Sequence, residues 1–297
     1  MSQATHSLGM IGYGEVGRIF CAGLKAQLAG VSAWDLKFAA DPAGEARSHA
    51  QHAGVRAAGS MQELCASATL IISAVTASNT LAVTEAAAPH LRAGSFFLDL
   101  NSASPGTKQA AAKVVEAAGA HYVEAGVMTS VPPYGIRVPM LLGGARAQEL
   151  AAMVNAWGFD AKVVAAGIGV ASAIKMCRSV MIKGLEALVI ESYTTARAYG
   201  VEEHVLPTLA ETFPSIDWAQ SGAYFFSRVV QHGQRRAEEM RECANTVAEV
   251  GFDPIMASAI AAKQQWVADR AKTGVFAGVD KGARWQDYAD ALLARRA

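Results

Sequence analysis

Two basic residues one helical turn apart, in a stretch that is otherwise apolar, are the first candidates for a catalytic role in this sequence. Lys175 and Arg178 lie within GIGVASAIKMCRSVMIKG, residues 167–184, a stretch that is otherwise small and apolar and has helical character. Lysine and arginine are rarely buried without a partner or a task. Oxidation of an alcohol by hydride transfer needs a base that takes the hydroxyl proton. Lysine suits that role where apolar surroundings and a neighbouring cation such as Arg178 favour its neutral form.

The alternative is that both cations form a solvated strip on an amphipathic helix, as most such charges do. The positions one turn from Lys175 are Ala171, Ser172, Arg178 and Ser179, and none of them is a carboxylate. Glu186 lies on the same helical face but about 16 Å further along the axis, too far for a direct pair. We therefore interpret Lys175 as the proton-transfer residue.

GYGEVG at 12–17 is the second chemical signal, with Gly12, Gly14 and Gly17 in GxGxxG register between a predicted strand and a predicted helix. In a dinucleotide-binding turn these glycines permit the tight turn, the approach of the diphosphate and close packing of helix on strand. An ordinary glycine-rich turn is the alternative. The residues that we expect to bind the cofactor are Gly12, Tyr13, Gly14, Glu15, Val16, Gly17, Asp35, Val75 and Thr76.

Asp35 indicates which dinucleotide is preferred. It ends the second predicted strand, where an acidic side chain accepts hydrogen bonds from the adenosine ribose and repels the 2′-phosphate of NADP. We therefore expect NAD, although Lys37 two residues later weakens the preference and NADP stays possible. A turn residue without a ligand is the alternative.

The elements that position these residues change type midway along the chain. Strand-like segments at 7–11, 31–35, 69–75, 95–99, 121–125 and 138–142 alternate with helix-like segments such as 15–29. This pattern predicts an α/β Rossmann domain, a doubly wound parallel sheet, over residues 1–166. From 167 to 297 the apolar period is near 3.6, for example at 168–199 and 234–273, which predicts an all-helical substrate and dimerisation domain. We expect the site to lie between the two domains.

The amino-acid composition limits the classes of molecule that the protein is expected to bind. Of the 297 residues 52% are hydrophobic and 18% charged, and 26 basic residues balance 26 acidic ones. No global field therefore recruits nucleic acid or a membrane surface, and a small molecule is the expected partner. Four scattered cysteines without metal-ligand spacing predict free thiols and no metal site. With no signal-like N-terminus or long apolar run, we expect a cytoplasmic protein.

Polar residues after one central strand are further candidates. In DLNSASP at 99–105, Asn101, Ser102 and Ser104 stand at the carboxyl end of a strand, where open α/β sheets bind ligands. An ordinary polar loop is the alternative. In the helical half, His232, Arg235, Arg236 and Glu239 share one helical face, and a surface salt-bridge ladder is the alternative to a place in the site.

Several motifs together resemble one enzyme superfamily. GMIGYGEVG, DLNSASP, GVMTSVPPYG at 126–135 and GIGVASAIK at 167–175 occur in the order seen in the β-hydroxyacid dehydrogenase and 6-phosphogluconate dehydrogenase superfamily. HGQRRAEEM at 232–240 and EVGFDPIM at 249–256 resemble a bacterial branch whose C-terminal domain is of unknown function. The resemblance implies a Rossmann fold, a nicotinamide cofactor and a homodimer.

The resemblance also implies site residues. The family lysine of the GxGxxxK pattern falls on Lys175, as general acid and base for the substrate hydroxyl or carbonyl. Two departures imply a branch-specific substrate: Arg178 and Ser179 stand near the family asparagines, and Met128, Thr129 and Ser130 replace a serine and glycines.

The sequence thus predicts an NAD(P)-dependent oxidoreductase that acts on the CH–OH group of a small polar hydroxy acid, with Lys175 catalytic. The predicted substrate-binding residues are Asn101, Ser102, Ser104, Met128, Thr129, Arg178 and Ser179. An imine reductase is one alternative, although such relatives replace the lysine that this chain keeps. The other is a non-catalytic dinucleotide-binding protein, which would bind the cofactor without turnover.

Overall fold

The computed structural model describes residues 6–41 and 44–294 and divides the chain into two compact units, Met1–Met176 and Cys177–Ala297. The strands are β1 (Ser7–Ile11), β2 (Gly30–Trp34), β3 (Arg56–Ala57), β4 (Leu70–Ser73), β5 (Phe96–Asp99), β6 (His121–Val127), β7 (Pro139–Gly143) and β8 (Asp160–Ala165). The helices are α1 (Glu15–Leu24), α2 (Leu36–Ala40), α3 (Glu45–His52), α4 (Met61–Ser67), α5 (Thr80–Ala87), α6 (Pro105–Ala117), α7 (Ala147–Ala156), α8 (Val170–Tyr199), α9 (Glu202–Thr212), α10 (Trp218–Glu249), α11 (Ile255–Lys272) and α12 (Trp285–Leu293).

The first unit contains one eight-stranded sheet in the order β3-β2-β1-β4-β5-β6-β7-β8. Pairs from β3 to β6 are parallel, and β1 lies between β2 and β4. On one side of β1 the sheet continues through β2 and β3, and on the other side it continues through β4 and β5. The carboxyl end of β1 is therefore the switch point of the strand order, where open α/β folds bind ligands. The predicted Rossmann fold is confirmed.

Both faces of the sheet are covered by apolar side chains. Alternate residues of a strand point to opposite faces, and along β4 Leu70 and Ile72 join one apolar layer while Ile71 joins the other. Burying an aliphatic side chain of this size contributes roughly 1.5–3 kcal/mol. The unbroken apolar runs of the central strands are therefore explained by burial on both sides.

Three details of this unit differ from the prediction. β7 is antiparallel to β6, because residues 128–138 between them contain only a short 3₁₀ turn, and a parallel return needs a longer crossover. β3 and β8 were not predicted. Helix α1 ends at Leu24 rather than at residue 29.

The described residues of the second unit form helices joined by turns and loops, with no strand among them, which confirms the predicted helical C-terminal region. Tyr193 and Trp285 pack edge to face with ring centroids 4.9 Å apart in its aromatic core. The predicted stretch 234–273 is two helices, α10 and α11, and α10 begins earlier, at Trp218, where Asp217 caps it. No helix in the described part of the chain has the length and apolar character needed to cross a membrane.

Candidate active site

The glycine turn between β1 and α1 packs tightly against backbone at Gly12 and Gly17 but leaves room for a ligand at Gly14, where α1 begins. Gly12 has φ +92°, and a Cβ on it would lie 2.4 Å from the carbonyl oxygen of Ala74. A Cβ on Gly17 would lie 2.0 Å from the carbonyl oxygen of Gly12. By contrast, apart from the turn and helix backbone next to it, no atom of the described residues lies within 4 Å of a Cβ built on Gly14, the N-cap of α1. This open cradle at a helix N-terminus fits the diphosphate of a dinucleotide.

Asp35 fastens the glycine turn to the end of β2. One carboxylate oxygen accepts the backbone N–H of Tyr13 at 2.7 Å, and the other accepts the N–H of Lys37 at 2.9 Å, which caps α2. A carboxylate has about four acceptor positions, so both oxygens can accept a further hydrogen bond. The predicted ribose ligand therefore lies beside the turn and also has a structural role.

The side chain of Tyr13 belongs to the protein core. Its hydroxyl lies 3.2 Å from Nδ1 of His49, and burial is the main cause that raises the pKa of Tyr13 to about 12. The phenol therefore stays protonated at neutral pH. Glu15 and Val16 follow in the first turn of α1, the former exposed and the latter half-buried.

Asn101 joins the ends of β4 and β5. Its Oδ1 accepts the N–H of Val75 at 2.6 Å, and its Nδ2 donates to Oγ of Ser73 at 3.0 Å. Thr76, next to Val75, is exposed. The buried amide of Asn101 thus fixes the strand ends around which the predicted cofactor and substrate residues are arranged.

Ser102 meets the predicted proton-transfer residue. The Nζ of Lys175 donates to its Oγ at 2.5 Å. Ser104, two residues later, is buried and caps α6, since its Oγ accepts the N–H of Thr107 at 3.3 Å. In this loop Ser102 therefore contacts the lysine, while Ser104 begins a helix.

Lys175 is half-buried near the start of α8, within the first unit. Counted back from it, the glycines of the GxGxxxK pattern fall on Gly169 and Ala171, so this chain keeps the first and replaces the second. Arg178 and Ser179 belong to the second unit; the former is exposed and the latter buried.

The end of β6 lies beside Lys175. A Cβ built on Gly126 would be 3.5 Å from the Cβ of Lys175. Met128, half-buried, and Thr129, exposed, follow directly after the strand. The N–H of Met128 donates to the carbonyl oxygen of Pro139 at 2.9 Å, which ties this segment to β7.

The sequence did not predict a buried charged cluster around Asp99, the last residue of β5, directly before the loop of Ser102. Nζ of Lys108 lies 3.0 Å from Oδ1 of Asp99, and the hydroxyl of Tyr122 donates to Oδ2 at 2.6 Å. Burial, and then the negative charge of Asp99, raise the pKa of Tyr122 well above its ordinary value. Asp99 also accepts the N–H of Asn101 at 2.8 Å. The available signal was a carboxylate directly after the apolar run FFL at residues 96–98.

In the second unit, part of the charged face predicted on α10 is internal. Arg236 is buried and forms a two-bond ion pair with Glu186, to which Gln264 also donates at 3.3 Å. Lys183 pairs with Glu239 at 2.9 Å. Arg236 is thus part of a buried network that joins α8, α10 and α11, not of a surface ladder.

Comparison with known proteins agrees with this organisation. Residues 7–154 match the family model described as the NAD binding domain of 6-phosphogluconate dehydrogenase, and residues 196–267 match a domain of unknown function, DUF1932. The structure of a conserved hypothetical protein from Sinorhizobium meliloti 1021 is 36% identical, with a TM-score of 0.76, covering 98% of this chain and 96% of that chain.

Two further structures share the fold. The conserved protein MTH1747, of unknown function and described as similar in structure to 3-hydroxyacid dehydrogenases, is 30% identical, with a TM-score of 0.68, covering 90% of this chain and 98% of that chain. A 3-hydroxyisobutyrate dehydrogenase from Mycobacterium tuberculosis with L-serine is 17% identical, with a TM-score of 0.68, covering 98% and 99%.

The matched domain and the glycine turn together define the cofactor class. The first unit is a dinucleotide-binding domain for NAD or NADP. The chain belongs to the β-hydroxyacid dehydrogenase and 6-phosphogluconate dehydrogenase superfamily, in the branch that carries this C-terminal domain of unknown function.

Proposed function

We propose that the protein is an NAD(P)-dependent dehydrogenase that oxidises the CH–OH group of a small polar hydroxy acid, or reduces the corresponding carbonyl. The observation that carries this proposal is the contact of Lys175 Nζ with Ser102 Oγ at 2.5 Å. Ser102 follows β5 within the loop at its carboxyl end, the edge at which open α/β sheets bind ligands. An amine held at that edge supports the proposed role of Lys175 in proton transfer.

The proposed mechanism divides the work between cofactor and lysine. A nicotinamide cofactor, which the glycine turn at residues 12–17 and Asp35 would hold, would supply the hydride acceptor for the substrate carbon. The neutral amine of Lys175 donates one N–H to Ser102, which orients the nitrogen so that its lone pair can take the substrate hydroxyl proton. In the reverse direction the ammonium returns that proton to the carbonyl oxygen. Ser102 thus serves as the orienting partner of the base.

Substitution of Lys175 is the direct test. Lys175→Met keeps the length of the stem up to Cε and removes the amine, so turnover should fall by about 10²- to 10⁴-fold, the usual contribution of a positioned acid–base group. Cofactor titration and thermal unfolding should stay close to the wild type. Lys162→Met, at an exposed position in β8, is the matched control and should keep full turnover.

A substrate panel separates the alternatives. Hydroxy acids, aldehydes and imines are each assayed by nicotinamide absorbance with wild type and Lys175→Met. Turnover of hydroxy acids that is lost in Lys175→Met supports the proposal. Turnover of imines alone would indicate an imine reductase, and tight NAD binding without turnover would indicate a non-catalytic protein. Wild-type rates in Lys175→Met would contradict the proposed base.

Arg178 supplies the proposed specificity for an acid. It lies one turn after Lys175 on α8 and is exposed, and a guanidinium holds a carboxylate with two parallel hydrogen bonds. Because an ammonium cannot reproduce that planar geometry, Arg178→Lys should raise KM for the hydroxy acid about tenfold or more while kcat changes little. Arg146→Lys, at another exposed arginine, is the control. Steady-state kinetics unchanged in Arg178→Lys would argue against this role.

A further inference from the structure

Glu124, in the middle of β6, is a fully buried carboxylate whose hydrogen bonds go to another element. It is 0% exposed. Its Oε1 accepts the N–H groups of Gly169 at 2.7 Å and Ala171 at 3.0 Å, and its Oε2 accepts the N–H of Ser172 at 3.3 Å. Burying a carboxylate costs several kcal/mol unless it is well compensated. The three donors and the positive end of α8 supply that compensation.

This arrangement differs from ordinary helix capping. A helix is commonly capped by the side chain that directly precedes it, but here the acceptor for the first turn of α8 comes from a strand 45 residues earlier. β6 is paired on both sides, with Glu124 opposite Asp99 of β5 and opposite Gly143 of β7. The start of α8 is therefore fixed to the interior of the sheet.

Two glycines of the sheet, Gly126 and Gly143, allow α8 to approach β6 closely because they have no side chain. A Cβ on Gly143 would lie 2.6 Å from Oε1 of Glu124, and a Cβ on Gly126 would lie 2.8 Å from the carbonyl oxygen of Ala171. A side chain at Gly126 would push α8 away from β6, and one at Gly143 would displace the carboxylate of Glu124 that holds the start of α8. The close approach of α8 thus depends on three positions of the sheet, Glu124 among them.

The fixed turn leads directly to the Lys175–Ser102 contact. Lys175 follows Ser172 by less than one helical turn, so a shift of the first turn of α8 moves the lysine with it. On the other side of the contact, Asp99 holds the loop of Ser102 by accepting the N–H of Asn101 at 2.8 Å. Asp99 of β5 and Glu124 of β6, which are paired in the sheet, therefore hold the two sides of the Lys175–Ser102 contact: Asp99 holds the loop of Ser102, and Glu124 holds the helix of Lys175.

We propose that Glu124 is a positioning residue: by holding the first turn of α8 against β6, it keeps the amine of Lys175 on Ser102. This inference rests on the proposed role of Lys175 as the proton-transfer group. Glu124 itself acts only through the backbone of α8.

The test compares two variants of Glu124 with a matched control. Glu124→Gln keeps one oxygen for Gly169 and Ala171 but loses the charge, and Glu124→Ala loses every acceptor. The control is Asp217→Asn, which weakens the carboxylate cap of α10, a helix that does not carry Lys175. In the full-length protein with saturating NAD, the rate at which an amine-acylating reagent modifies Lys175 is measured by mass spectrometry of its peptide, together with Tm, kcat and KM.

Lys175 should be acylated several-fold faster in Glu124→Gln and faster still in Glu124→Ala, because the amine leaves Ser102. The value of kcat should fall in the same order, by about 10- to 100-fold, since a misplacement near 1 Å can cost that much, while KM stays within about twofold. Asp217→Asn should lower Tm without changing acylation or kcat.

Wild-type acylation of Lys175 in both Glu124 variants, whatever their Tm, would overturn the inference, and if Glu124→Ala fails to fold, Glu124→Gln alone decides. Acylation needs no substrate. A wild type without turnover on any substrate would therefore count against the proposed function, while the acylation rates would still decide the role of Glu124.

Discussion

At the scale of single residues, similar polar side chains in one loop have different tasks. Asn101 links two strand ends, Ser104 caps α6, and Ser102 contacts Lys175. Sequence alone predicts the loop and its position after a strand, but serine and asparagine form local caps and turns as readily as ligand contacts. Which of them faces the lysine depends on the path of the backbone, so the individual assignments could not be made from residue type.

Glu124 shows what residue patterns leave out. It is the one carboxylate within HYVEAGV, and a charge inside a strand that is otherwise apolar signals a buried partner. Its partners, however, are backbone N–H groups that begin at Gly169. Such groups carry no sequence signature, because every residue except proline has one.

Asp35 gives a prediction about cofactor choice. Asp35→Ser should shift the ratio of affinities towards NADP by about tenfold or more, because it removes both a ribose acceptor and the repulsion of the 2′-phosphate. Serine is itself a good N-cap, so α2 should persist. Titration with NADH and NADPH, followed by nicotinamide fluorescence, measures the ratio, and Ser60→Ala at the cap of α4 is the control. A wild type that binds NADPH as well as or better than NADH would contradict the prediction.

At the scale of elements, the central strands were predicted and the edges were not. β1, β4, β5 and β6 have strong apolar runs because helices cover both faces of the sheet. At the edges, β3 has only two residues, and only one of the six residues of β8, Ala161, is buried. Edge strands are short and partly polar for good reason, since exposed apolar edges pair with other chains, and their sequence signal is weak as a result.

The buried ion pair that joins α6 to β5 allows a test of element packing. Lys108→Met leaves the carboxylate of Asp99 without its cation in the core, which should lower the free energy of unfolding by about 3–5 kcal/mol. The double variant Asp99→Asn with Lys108→Met should recover part of that loss, because no charge is then left unpaired. Urea unfolding followed by circular dichroism measures both.

The exposed Lys113 in the same helix provides the control for this pair. Lys113→Met should change the free energy of unfolding by no more than about 0.5 kcal/mol, as surface substitutions usually do. An equally small effect of Lys108→Met would show that the interior accommodates the unpaired carboxylate and that the ion pair does not fasten α6.

At the scale of the whole molecule, the change from alternating strands and helices to helices alone was visible in the sequence, because hydrophobic periodicity reports burial within each element. Charge behaves differently. The balance of 26 basic and 26 acidic residues predicts little net repulsion near neutral pH, so acid sensitivity should depend on particular carboxylates that the fold pairs with cations.

Arg197 holds two such carboxylates in the second unit. It joins the end of α8 to Glu202 at the start of α9 and, with bonds of 2.8 and 3.0 Å, to Asp290 of α12. Hydrogen bonds from the guanidinium are the first cause that lowers the pKa of both carboxyl groups. A group whose pKa is lower in the folded state stabilises the fold above its unfolded pKa and loses that effect as the pH falls through the folded value.

The stability difference between wild type and Asp290→Asn should therefore be constant above about pH 5 and shrink as the pH falls below about 4, the ordinary range of an aspartate. Thermal unfolding of both proteins from neutral to acid pH measures this difference. Glu211→Gln, on the exposed side of α9, is the control and should differ little from wild type at any pH. A difference between wild type and Asp290→Asn that stays the same down to pH values at which both proteins unfold would mean that Asp290 contributes through packing of α12 rather than through its charge on Arg197.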